Sequence, residues 1–371
     1  MKRQSKIAGA VTVLAAAVML ASGNVSAEDK APPVPVPKTG ATKSYAKGDD
    51  GEYQAGVAWP KERFTVDKAG ETVTDNLTGL MWPKNLNHAH KDMVWADAVA
   101  FCRQLDLGGH KDWRLANVRE LQSLSDWNEQ IAMVPKDHPF TGVPAMMAWS
   151  STTCAKDTNS YWYVRTDGYV GHQRKEDTQW PGVIPVRGGV AKDGNVIAKG
   201  ILPVAKTGQT QSYAPGDDGD LQMGVPWPNP RFTLDKSGEC VTDNLTGLTW
   251  AKDGNYLRTM NWYEAIDYCE NLELGAFKDW RLPNVKELQA LPDYSVGMPG
   301  EPFVNTLRVD GASGYWSSTI FAKFMHPGVV LGQGYVSKGG MVCKEPVWPV
   351  RGGTLNPVKK PAEPAKEPEK K

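Results

Sequence analysis

The chain carries one long stretch of sequence twice. Residues 64–82 read Phe-Thr-Val-Asp-Lys-Ala-Gly-Glu-Thr-Val-Thr-Asp-Asn-Leu-Thr-Gly-Leu-Met-Trp and return, with four changes, at residues 232–250. Lys-Asp-Trp-Arg-Leu at 111–115 returns at 278–282, Trp-Ser-Ser-Thr at 149–152 returns at 316–319, and Val-Arg-Gly-Gly at 186–189 returns at 350–353. The offset is 168 at Trp82/Trp250, 167 at Trp113/Trp280 and 164 at Arg187/Arg351. Solenoid repeats run to roughly 20–50 residues, so this is a duplicated domain. Two copies of one fold imply two copies of one kind of site, which favours binding over catalysis.

The first copy takes residues 38–189 and the second residues 206–354, joined by a linker over 190–205. Each is of a size that can bury its own core. Residues 1–27 have the form of a signal peptide: Lys2, Arg3 and Lys6, an apolar run to Ala21, then Val25-Ser26-Ala27 before a mature start at Glu28. That run is short for a spanning helix, and no later segment is apolar enough to cross a membrane, so the expected product is exported to the periplasm, cell surface or medium. A Pro-rich lead-in occupies residues 28–37, and a Lys/Glu/Pro tail, read as disordered, occupies residues 355–371.

The formal charge is zero, and removing residues 1–27 leaves about −3. There is no basic stripe, so nucleic acid is not an expected partner. Fourteen Trp, with 37 Gly and 27 Pro, describe short strands joined by many turns. Short strands are expected near residues 63–66, 72–74 and 80–82. Helical spacing over 94–105 places Trp95, Ala98, Phe101, Cys102 and Leu105 on one face, repeated by Trp262, Ala265, Ile266, Cys269 and Leu272. A second helix begins at Asn117 with Glu120 three residues on, a capping-box start repeated by Asn284 and Glu287. The expected fold class is α+β, with two helices on an irregular antiparallel sheet in each copy.

These motifs, Asp75-Asn-Leu-Thr-Gly-Leu-Met-Trp82, Trp95-x-x-Ala98, Lys111-Asp-Trp-Arg-Leu115, Glu120-Leu121, Trp149-Ser-Ser-Thr152 and Val186-Arg-Gly-Gly189 with their second-copy counterparts, resemble the Lcl C-terminal domain family, also described as DUF1566. The resemblance covers most of residues 38–354. The first copy departs at Ala116, where the second has the family-like Pro283. The resemblance implies two tandem C-type-lectin-like domains, related also to the formylglycine-generating-enzyme fold. The family's namesake is a bacterial surface adhesin that binds sulfated polysaccharides, but the collagen-like repeats preceding its domain are missing here. The implied role is non-enzymatic binding of glycan or anionic polysaccharide at the cell envelope. The alternatives are an envelope assembly protein that binds another protein, or a divergent enzyme.

Candidate ligand-binding residues lie between Trp-Ser-Ser-Thr and Val-Arg-Gly-Gly, where the copies diverge: Trp162, Tyr169, His172, Arg174 and Lys175 in the first, and Lys323, His326, Tyr335 and Lys338 in the second. Aromatic rings interleaved with cations suit an anionic glycan, by stacking and by charge. The competing reading is strand alternation over an aromatic core. In the resembled lectin-like fold this is the long-loop region, where ligands sit.

Trp113-Arg114 and Trp280-Arg281 read either as a sugar platform or as a structural joint in which the Arg pairs with Glu120 or Glu287. Arg187 and Arg351, beside paired glycines, read as sulfate or carboxylate grips or as strand-end ion pairs. Gly48-Asp-Asp-Gly51 and Gly216-Asp-Asp-Gly219 cluster carboxylates; calcium favours such oxygens, but without EF-hand spacing a solvated turn is the simpler reading, and no cofactor is expected. His88, His90 and His110 have no second-copy equivalents, which excludes a shared metal role. Disulfides Cys102–Cys154 and Cys269–Cys343 are expected in an exported chain, with Cys240 left over. No Walker, G-x-S-x-G or H-E-x-x-H motif is present, so catalytic residues are not expected.

Overall fold

The computed structural model describes residues 34–89, 93–128, 133–144, 146–178, 181–198, 200–255, 258–306, 314–321, 326–330 and 335–355. The leader, the first part of the Pro-rich segment, His90, Lys323 and nearly all of the tail lie outside them. Among the described residues six helices occur in chain order: α1 (Asp50–Tyr53), α2 (Trp95–Gln104), α3 (Val118–Leu124), α4 (Asp218–Leu221), α5 (Trp262–Glu270) and α6 (Val285–Ala290). Each copy therefore adds one short helix, α1 or α4, to the two expected from sequence. The class is α+β.

Local sequence accounts for most of these boundaries. The Asn117 side chain accepts the Glu120 N–H at 3.0 Å, and Glu120 reaches back to the Asn117 N–H at 2.8 Å. Asn284 and Glu287 repeat this at 2.9 and 2.8 Å. Two of the amide donors left over at the helix start are thereby satisfied. Helix α5 is capped in the same way by Asn261 and Glu264, whereas its counterpart α2 starts at Val94 with no side-chain cap. The apolar stripes bury Trp95, Ala98, Val99 and Cys102 on α2, and Trp262, Ala265, Ile266 and Cys269 on α5; Phe101 and Leu105 are only half-buried.

The repeated strands build a small sheet in each copy. In the first, the order is Phe64–Val66, Thr72–Asp75, Leu80–Pro83, Pro185–Gly188 and Arg114–Leu115; in the second it is Phe232–Leu234, Cys240–Asp243, Thr249–Ala251 and Val350–Arg351. The strands Thr259–Met260 and Glu345–Pro346 form a further pair. The largest sheet belongs to both copies. Its seven strands run Tyr315–Phe321, His326–Val330, Val336–Lys338, Val170–Arg174, Ser160–Arg165, Met147–Thr153 and Pro181–Gly182. Val336 pairs with Val170 at the join between copies. All its pairings are antiparallel except the last, where Met147 and Ala148 run parallel to Pro181 and Gly182.

The copies do not keep separate cores. One cluster of buried side chains takes Trp82, Leu121, Trp127 and Trp162 from the first copy and Trp250, Leu288, Tyr294 and Phe321 from the second. Two smaller clusters, around α2 and around α5, belong mainly to one copy each. Eleven of the fourteen Trp are fully buried, and at about 1.5–3 kcal/mol per large apolar side chain they dominate the hydrophobic term.

No disulfide forms among the described residues, which include all five cysteines, so the expected pairs Cys102–Cys154 and Cys269–Cys343 are corrected. Cys102 is buried with the α2 cluster, whereas Cys154 packs in the shared core. Cys269 is buried beneath α5, whereas Cys343 is exposed. Burial raises the Cys102 and Cys269 thiols well above their ordinary range, which makes them poor thiolates.

Candidate functional site

The segments ahead of each copy's first strand reach into the opposite copy. Asp50 opens α1 in the first copy, yet its Oδ2 accepts the Thr319 hydroxyl of the second at 2.7 Å, together with that of Thr39 at 2.6 Å. Asp218, opening α4, accepts Thr152 of the first copy and Thr207, each at 2.7 Å. Asn284 donates to the Ala55 carbonyl at 3.0 Å, and Asn117 to that of Met223 at 3.4 Å. Such reciprocal contacts define an approximate twofold relation between the copies.

The Asp-Asp-Gly turns are therefore buried joints, which corrects the solvated-turn reading. Asp49 accepts backbone N–H bonds from Tyr45, Ala46 and Glu52, and Asp217 those from Tyr213, Ala214 and Asp220. A Cβ on Gly51 would lie 2.0 Å from the Lys43 carbonyl oxygen, and one on Gly219 1.9 Å from that of Gln211, so glycine is required at both. Burial pushes Asp50 up to about 6 and Asp218 up to about 7, against the lowering effect of their threonine bonds. Asp50 Oδ2 and Asp218 Oδ2 are taken up by threonine donors while Asp50 Oδ1 has no partner, and among the described residues no group of three or more His, Cys, Asp or Glu could hold a metal ion.

Trp113 is 2 % exposed and donates its indole N–H to the Leu107 carbonyl at 3.1 Å; Trp280 does the same to Leu274 at 3.2 Å. Arg114 grips Glu120 through two bonds of 2.7 and 2.5 Å, and Arg281 grips Glu287 with the same lengths. Both pairs are buried. The same carboxylates serve the capping boxes, so each pair ties a strand end to a helix start. Arg187 forks onto Asp112 at 2.7 and 3.1 Å, and Arg351 onto Asp279 at 2.7 and 3.0 Å.

The divergent stretch folds as the hairpin Ser160–Arg165 and Val170–Arg174, in the middle of the seven-stranded sheet. Strand alternation divides its aromatics. Trp162 points into the shared core, 2 % exposed, with ring centroids of Tyr335 and Tyr294 at 5.0 and 5.3 Å. Half-buried His172 lies against Trp162 and Tyr335, at 5.9 and 5.4 Å. On the other face Tyr163 and Tyr169, both half-buried, stack at 6.2 Å, with the Arg165 guanidinium 5.4 Å from the Tyr169 ring. Lys175 sits over Trp95 at 4.3 Å and over Tyr213 of the other copy at 4.8 Å. Arg174 is exposed and pairs with Glu176 at 3.2 Å, and Arg165 with Asp167 at 2.9 Å.

The structure thus brings Trp162, His172 and Tyr335 together and puts Tyr169 on the opposite face and Lys175 over Trp95, while Arg174 continues the face of Trp162 and His172 to the exposed strand end. Lys323 lies outside the described residues; His326 and Lys338 end the strands His326–Val330 and Val336–Lys338, and their side chains lie outside the description. Tyr163 and Arg165 are absent from the candidates the sequence suggests, although strand alternation from Tyr169 across the hairpin locates them, and Asp50 and Asp218 read in sequence as parts of solvated turns.

The family model described as the Lcl C-terminal domain matches residues 71–187 and again residues 239–351. No curated protein and no solved structure matches the chain.

Proposed function

The chain belongs to the Lcl C-terminal domain family, with two of its domains in tandem, and from this premise we infer that it is an exported, non-enzymatic binding protein for an anionic polysaccharide at the bacterial cell envelope, built on lectin-like domains. The observation that carries this reading is the turn end of the hairpin, on the face away from the shared core. Tyr163 and Tyr169, both half-buried, stack there with the Arg165 guanidinium over one ring. Sugar rings stack on such aromatics, and sulfate or uronate groups suit a guanidinium fork. The pairs Arg165–Asp167 and Arg174–Glu176 are at least partly exposed. Exposed ion pairs are worth about 0–1 kcal/mol, so a polyanion displaces the acids at little cost. The signal-peptide form of residues 1–27 supports export, and the buried thiols of Cys102 and Cys269, held protonated by burial, suit a role without covalent chemistry.

The test is retention of the purified protein on immobilised sulfated, uronic and neutral glycans at low and high salt. Salt-sensitive retention on the anionic polymers, lost on Tyr169→Ala, is the expected result. A blank panel together with one stoichiometric protein partner in a pull-down would replace this reading with an assembly role.

A further inference from the structure

A second site lies on the approximate twofold axis, away from the hairpin. A cavity of about 110 Å³ opens between the copies. Its walls are pairs of equivalent residues: segment 34–37 faces segment 202–205, Leu77 matches Leu245, Gln122 matches Gln289, and Arg119 matches Lys286. Each leading segment is held by the opposite copy. Val34 donates its N–H to the Leu245 carbonyl, and Leu202 donates to that of Leu77 at 2.7 Å.

Arg119 and Lys286 set this cavity apart from the rest of the interior. Both are more than nine-tenths buried, at 8 and 6 % exposure. The other buried arginines hold carboxylates: Arg63 with Asp75, Arg231 with Asp243, Arg114 with Glu120 and Arg281 with Glu287. Among the described residues neither Arg119 nor Lys286 forms an ion pair. Arg119 donates through Nη2 to the Ala290 and Pro292 carbonyls at 3.1 and 2.7 Å, while its Nε has no hydrogen-bond partner. Lys286 Nζ has none, and lies 5.3 Å from the Trp59 ring. A buried charge without a counter-ion is costly, and burial, with Arg63 nearby, lowers the Lys286 ammonium to about 7. The remaining wall is mostly aliphatic, from prolines, valines, leucines and alanines, with the polar side chains of Gln122, Gln289, Ser123, Thr78 and Thr246 among them.

We propose that this axial cavity binds a small organic anion, a carboxylate with an apolar body, whose charged end meets Lys286 and Arg119 and whose body lies against the leading segments. Asp126, Asp75 and Asp50 act on Lys286, and Asp243 and Asp293 on Arg119, only at a distance; the ligand supplies the direct ion-pair partner, and bound anion favours the charged Lys286 ammonium. The geometry makes the site independent of the polysaccharide reading, because none of its residues lies on the hairpin.

The experiment titrates purified protein with acetate, hexanoate, benzoate, benzamide and inorganic sulfate. Trp fluorescence reads the site, since Trp59 and Trp227 lie against Lys286 and Arg119. The expected result is saturable binding of hexanoate or benzoate, weaker binding of acetate and sulfate, and none of benzamide. Lys286→Met and Arg119→Met each weaken the binding about 10-fold or more, the scale of one charge-assisted bond. Lys286→Met removes a destabilised charge and folds; Lys286→Gln is the second variant. Tyr169→Ala leaves the titration unchanged. Failure of every anion to bind below 10 mM, as a roughly set ceiling on useful affinity, overturns the proposal. So does binding that survives in the Arg119→Met/Lys286→Met double variant.

Discussion

Thr319 donates its hydroxyl to Asp50 across 269 positions of chain, at 2.7 Å, and Thr152 does the same for Asp218 at the same distance. Each carboxyl also takes a threonine from its own copy. The two halves are therefore fastened by acids that burial keeps protonated well above their ordinary range. An acid raised in the folded state contributes its full share to stability below about pH 3.8 and loses it as the pH rises through the folded value. For Asp218 that window runs from about 4 to about 7, and for Asp50 to about 6. At 1.36 kcal/mol per pH unit the losses are on the order of 3–4 kcal/mol each. Urea denaturation at pH 4, 6 and 8 is expected to show stability falling across this range. Asp218→Asn, which keeps an acceptor oxygen, flattens the curve; an unchanged slope in that variant would remove Asp218 as the cause.

Arg114 is expected to be far less replaceable than Arg187. The Arg114–Glu120 pair is buried and shares its carboxylate with a helix cap, so Arg114→Met leaves an unpaired buried charge and costs about 3–5 kcal/mol. Arg187 pairs with a half-exposed Asp112, and Arg187→Met costs about 1 kcal/mol or less. Midpoints of urea unfolding for the two variants check the ordering.

Lys286→Met is expected to stabilise the protein. A base lowered to about 7 contributes fully above about pH 10.5 and loses that contribution as the pH falls through 7. The gain from the variant is therefore largest near pH 6, about 2 kcal/mol or more, and shrinks toward pH 10. Thermal unfolding at both pH values reads it; a lower melting temperature at pH 6 would contradict the unpaired state of Nζ.

Residues 34–189 expressed alone are expected to dimerise. This fragment lacks Asp218 for Thr152, lacks Tyr335 and Tyr294 for Trp162, and exposes strand Val170–Arg174 as an open edge. Open edges and apolar patches seek partners. Light scattering should give twice the fragment mass. A stable monomer would show that the exchange of leading segments is dispensable.

What could be read from the sequence was local. Asn117 with Glu120 announces a helix start because both partners lie within one turn, and the structure places the capping box there. The stripes through Trp95 and Trp262 follow from helical spacing in the same way. The Asp50 turn was misread because a carboxylate cluster is normally hydrated, and nothing within a few residues of it reveals a threonine 269 positions away. Trp162 posed the same difficulty: alternation assigns it a face, but only the joined sheet makes that face interior. The disulfide expectation followed from export and cysteine count, and it failed because Cys102 and Cys154 pack in separate clusters.

The matched walls of the axial cavity have a consequence for history. An ancestral homodimer would have placed the same residue at both positions now held by Arg119 and Lys286, and any occupant of its axis would have met two identical halves. Fusion into one chain released that restriction, so that one arm of the axis could keep a delocalised guanidinium while the other drifted to a titratable amine. A symmetric frame thus carries two cations of different chemistry, one fixed in its charge and one that titrates.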